Sequence, residues 1–146
     1  MEYKKIGGWL YLLGFGLLGS SLSAANVIKT YLDAFGTSGF FESSVATFYI
    51  VDFVRCISIA GGAGFLFISF LDKSKSFPRY YKILLAVIFL FWVVEILMLT
   101  VSPELDRKVG GILAKDFLTF SLWAIIWLSY LKFSKRAKGT FVNEGV

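Results

Sequence analysis

The chain has 146 residues, 57% hydrophobic and 17% charged, against about 45–50% apolar and about 25% charged in a typical soluble domain. One core of this size cannot hide so much apolar surface, so lipid must cover the rest, which excludes an ordinary soluble fold. The net charge of +5 does not point to nucleic acid, because the basic residues stand at the ends of apolar stretches and neither an aromatic RNA-binding motif nor a zinc-knuckle spacing is present.

A membrane-spanning helix needs about 20 apolar residues, and four stretches qualify. The first covers about residues 6–28. It also has the three-part layout of a signal peptide, with Lys4 and Lys5, an apolar run over 6–18, and small residues Ser23 and Ala25 near its end; a retained span is the expectation. A polar loop with Gly36 and Gly39 is expected over 29–43. The second span, about 44–71, is long enough to tilt or to project past the bilayer. A short basic turn over 72–79 carries Pro78, which suits the start of the third helix, expected over 80–101. A segment over 102–108 with Pro103 and mixed charges leads to the fourth span, 109–133, and a basic tail follows over 134–146. There is no internal repeat and no loop long enough to hold a soluble domain. The expected fold is therefore an all-α integral membrane protein, a single antiparallel bundle of four transmembrane helices.

Lysine and arginine are unevenly divided between the two ends of these spans. Lys4, Lys5, Lys73, Lys75, Arg79, Lys82, Lys132, Lys135, Arg136 and Lys138 fall on one side, and Lys29, Arg107, Lys108 and Lys115 on the other. The positive-inside rule then puts both termini in the cytoplasm. Trp9, Tyr11, Tyr80, Tyr81, Trp127 and Tyr130 form an interfacial belt on the same side, whereas Trp92 falls near mid-membrane and is expected to serve in packing.

Three segments carry a family resemblance: Ile6-Gly7-Gly8-Trp9-Leu10 at the start, Phe77-Pro78 opening the third span, and Tyr130 through Ser134-Lys135-Arg136-Ala137-Lys138-Gly139-Thr140-Phe141-Val142 at the end. Together they resemble a bacterial family of small four-span membrane proteins catalogued as domain of unknown function 2569. Such proteins typically open on an Ile-Gly-Gly-Trp-Leu-like segment and close on a Ser-x-Arg-Val-Lys-x-Thr-Phe-like one; Ala137 stands here in place of the valine. The resemblance implies four spans in a bacterial inner membrane and brings no activity and no catalytic residue.

Charges within a span cost about 2.5–3.5 kcal/mol each on insertion scales and are functional candidates by default. Asp52 and Arg55 lie in the second span, Glu95 in the third, and Lys115 and Asp116 early in the fourth. Counted from the expected span ends at about 1.5 Å per residue, all five fall in the outer half of the membrane. Asp52 and Arg55, three apart, share a helix face. Arg55 is expected to reach Glu95, and Lys115 to reach Glu95 or Asp52, with Asn26 and Thr119 adding hydrogen bonds. Fully ionised, the five sum to one negative charge. Three readings stand: a structural network holding the helices in register, a polar cavity open to the outside that binds a cation, proton or small polar ligand, and a contact with a partner protein.

Small residues recur every four positions at Gly16, Ser20 and Ala24, at Ala60 and Gly64, and at Ser58 and Gly62, a pattern that lets helix backbones approach closely within the bundle or between copies. In the tail, Lys132, Lys135, Arg136 and Lys138 can meet anionic head groups, at about 1 kcal/mol each near the surface. Phe141 is expected either to pack back on the helix ends or to dock a partner. The lone Cys56 forms no disulfide within the chain and reads as a small buried hydrophobe.

The sequence has no histidine, no nucleotide-binding loop, no metal-ligand cluster and no nucleophile constellation. The expectation is a protein that is not an enzyme, with no catalytic residue, metal or cofactor, working through lipids, self-association or a membrane-protein partner. The alternative is a small oligomeric transporter or channel whose polar site opens to the periplasm.

Overall fold

The structure is a computed structural model and describes residues 8–37 and 46–141. Its described residues form helices α1 (Trp9–Phe35), α2 (Ala46–Leu71), α3 (Phe77–Val101), α4 (Pro103–Leu105), α5 (Gly111–Phe133) and α6 (Lys135–Thr140), with a π-helical turn over Asp106–Gly110. Helices α1, α2, α3 and α5 are each long and apolar enough to cross a membrane. With every backbone polar group paired inside its own helix, such rods are the form in which a chain of this composition can sit in lipid. This is a multi-pass, all-α membrane protein.

Helix α1 corrects the expected boundary. It runs 27 residues, through the positions assigned to a polar loop, and stops only at Gly36, whose N–H donates to the Leu32 carbonyl at 3.2 Å. Lys29, Thr30 and Asp33 are polar but do not break a helix, and Tyr31, Ala34 and Phe35 continue its inward face. At about 40 Å, α1 exceeds the roughly 30 Å hydrocarbon core and carries polar residues beyond it. Ser23 and Ala25 sit within this unbroken helix.

The turn after α2 closes in a Schellman pattern: Ser74 N–H donates to Ser69 O, and Lys73 N–H to Phe70 O, both at 3.1 Å. Lys73 takes the left-handed position (φ 52°) where glycine is usual. Helix α3 then starts at Phe77, three residues before the expected start at Tyr80, with Pro78 in its first turn. After α3, Ser102 turns extended, and Pro103 restarts a helical path that passes through the π turn into α5. A Cβ at Gly110 would meet the Asp106 carboxylate, which would have to swing aside.

The spans pack in chain order: α1 on α2, α2 on α3, α3 on α5. Comparable packing does not join α1 to α5, so the row of four is an open arc. One end is closed by a core uniting Leu10 and Leu13 of α1, Leu66 and Phe70 of α2, Phe77 of α3 and Leu131 of α5 with Ala137 and Phe141 of the tail. The other end has a separate core of Phe48, Ile88, Trp92, Leu105 and Leu113, to which α1 contributes no buried residue.

Candidate functional site

Three of the charged residues meet between α2 and α3. One helical turn separates Asp52 from Arg55, and the Arg55 Nε donates to Asp52 Oδ1 at 2.9 Å, with Nη2 donating to the same oxygen. Nε also lies 2.9 Å from Glu95 Oε1. That contact is an ion pair without hydrogen-bond alignment, and among the described residues neither Glu95 oxygen has a hydrogen-bond partner. Glu95 is completely buried and Asp52 nearly so. Burial of an ion pair in low dielectric holds a geometry more than it adds stability, because desolvation offsets the attraction. The set contains two carboxylates and one guanidinium, an excess of one acidic group.

Two further members come from residues given other roles in the sequence. The Tyr31 hydroxyl donates to Asp52 Oδ2, a contact that exists because α1 continues two turns past its expected end. Trp92, one turn before Glu95 on α3, lies beneath the guanidinium, with Arg55 Cζ 4.1 Å from its ring centroid, a cation–π geometry. The signal for Trp92 was its i,i+3 spacing from Glu95; the signal for Tyr31 was hidden by the polar residues around it.

The remaining candidates stand apart. Asn26, Lys115 and Asp116 are exposed, and neither Lys115 nor Asp116 forms an ion pair among the described residues. Helical phase explains this. The inward face of α5 runs through Leu113, Phe117, Phe120 and Trp127, and Lys115, two residues past Leu113, points to the opposite side. The expected contact of Lys115 with Glu95 or Asp52 is therefore not made. Asn26 lies two residues past buried Ala24, with the same result. Thr119 donates to the Lys115 carbonyl of its own helix at 2.9 Å.

A cavity of about 550 Å³ lies in the gap between α1 and α5, backed by α2 and α3. Its upper part is bordered by Ser20, Ser23, Arg55, Asp116 and Thr119, and its lower part by Leu12, Leu13, Leu84, Leu85 and Trp127. The small-residue stripe of α1 turns out to be split. Gly16 and Ser20 line this cavity, and nothing stands within 4 Å of a Cβ placed at Gly16. The close α1–α2 approach is made instead by Ser21, which donates to the Ala60 carbonyl at 2.8 Å and faces Gly64. Gly62 faces α3, where a Cβ would stand 2.5 Å from Leu84 Cδ1.

In the tail, Lys132, Lys135 and Lys138 are exposed, while the Arg136 side chain lies outside the described residues. Phe141 packs inward, stacked on Phe77 at 4.6 Å and 5.9 Å from Phe70. Of its two expected roles the structure selects the first, and Phe141 is not available to a partner in this arrangement. Ser134 makes that return possible by capping α6, its hydroxyl accepting from the Ala137 N–H at 3.2 Å.

No curated protein and no solved structure matches the chain. Residues 3–142 match the family described as Protein of unknown function (DUF2569). That span takes in all four membrane helices and the capped return of the tail, and the chain belongs to the DUF2569 family.

Proposed function

We propose that this protein is a non-enzymatic accessory protein of a bacterial inner membrane, with both termini in the cytoplasm, acting by lateral association with a lipid-phase molecule, a membrane-protein partner or a second copy. The observation that carries this reading is the open side of the bundle. Helices α1 and α5 flank a cavity instead of packing together, and a gap at that level faces the acyl chains. The basic residues Lys73, Lys75, Arg79, Lys132, Lys135 and Lys138 gather at the end closed by the tail, which supports a cytoplasmic assignment for that end.

The test has two parts. In a Cys56→Ser background, an impermeant maleimide added to intact spheroplasts should label Glu104→Cys, and should label Lys135→Cys only after lysis; the reverse pattern overturns the orientation. Native mass spectrometry from nanodiscs should show a second copy, a stoichiometric partner or a retained lipid-phase molecule, lost in Gly16→Trp. A bare monomer indifferent to that change overturns lateral association.

A transporter is the second reading, favoured by the meeting of Asp52, Arg55 and Glu95 between helices. It predicts ion or solute flux in liposomes that disappears with Glu95→Gln.

A further inference from the structure

We propose that the cavity between α1 and α5 binds a hydrophobic cation, a single positive charge on an apolar aromatic or aliphatic body, with Asp116 as its counter-charge. This rests on the lateral-association reading and names the class of ligand.

The first ground is shape. At about 550 Å³, the cavity is within the usual range of small-ligand sites, about 300–1,000 Å³. It is polar at one end and apolar at the other, and its open side gives entry from the lipid phase. The second ground is charge. Arg55 borders the polar end, but its guanidinium is already held by Asp52, Glu95 and the Trp92 ring. It therefore has little to offer an anion. Asp116 borders the same end with no ion pair among the described residues, and its neighbour Lys115, about 100° round the helix, does not border the cavity. Asp52, Glu95 and Asp116 against Arg55 leave an excess of acidic groups, and an intramembrane carboxylate without a partner is costly until a cation meets it. The third ground is the aromatic wall: Tyr81, Phe120, Trp123 and Trp127 border the cavity, and such faces attract a positive charge, by about 2 kcal/mol when desolvated.

A phospholipid would bring its phosphate as well as its cationic group to the end that Asp116 borders, whereas a hydrophobic cation brings positive charge alone.

The probe is tetraphenylphosphonium, with the isosteric anion tetraphenylborate as control, measured by equilibrium binding to the full chain in phosphatidylcholine nanodiscs. The expected result is one saturable cation site per chain, with the anion bound at least tenfold more weakly. Asp116→Asn should weaken cation binding at least tenfold, Gly16→Trp should abolish it, and Lys115→Gln should leave it within about twofold. Asp116 and Gly16 are exposed, Gly16 with open space beside it, and unchanged thermal unfolding of each variant confirms that it folds. Equal or tighter binding of the anion, or an unchanged Asp116→Asn variant, overturns the cation assignment while leaving lateral association standing. Displacement of the probe by phosphatidylethanolamine assigns the cavity to a lipid head and likewise overturns it. A bare monomer in the native mass spectra together with no saturable probe site overturns both the cation assignment and lateral association.

Discussion

Arg55 is the side chain on which the polar centre turns, because it is the single cation between two buried carboxylates. Arg55→Leu should cost about 3–5 kcal/mol, since it strands both acids without a partner. Adding Glu95→Gln to that variant should recover part of the loss, and a double-mutant cycle of unfolding in mild detergent reads the coupling. Additive effects would show that the 2.9 Å approach of Arg55 to Glu95 has no energetic consequence. The Asp52–Arg55 pair was legible in the sequence because three residues on a helix always share a face. Glu95 was legible as an isolated charge in an apolar run. Tyr31 was not, because composition assigned its segment to a loop, and hydropathy does not measure helix propensity.

Among the elements, the glycines separate packing from open surface. Gly62→Leu should destabilise by about 1–3 kcal/mol, because the new side chain meets Leu84 across the α2–α3 contact. Gly16→Leu should be close to neutral, since its neighbourhood is empty. Thermal unfolding of the two variants side by side checks the contrast, and equal losses would contradict the open gap. The four-residue spacing alone could not distinguish them. A period of four marks a stripe, but which stripe meets a neighbour depends on rotation of the helix about its axis, and that rotation placed Ser21 against Ala60 instead of Ser20. The π turn at Asp106–Gly110 was equally hidden, being a local rephasing of a helix whose composition is ordinary.

For the molecule as a whole, the tail is the strap that ties α1 to α5 at one end. Phe141 touches Phe77 and Phe70, and its cluster includes Leu10 and Leu131. Phe141→Ala should cost about 3 kcal/mol and should loosen that end first, visible as faster hydrogen exchange in the first turns of α1 and the last of α5. Uniform exchange across all four spans would count against a strap. The family's closing segment thus has a structural use: a capped turn returns an aromatic ring to the helix ends.

What the sequence determined by itself was the solvent and the rods: four apolar stretches of spanning length, their order, and the charges that cannot face lipid cheaply. Those follow from composition and length, which are local properties of the chain. Which charges meet, which face of each helix turns inward, and whether the first and last spans touch depend on helix rotation and lateral packing between segments far apart in sequence. The tertiary structure decided these, bringing Asp52, Arg55 and Glu95 together, turning Lys115 away, and leaving Asp116 beside an open cavity.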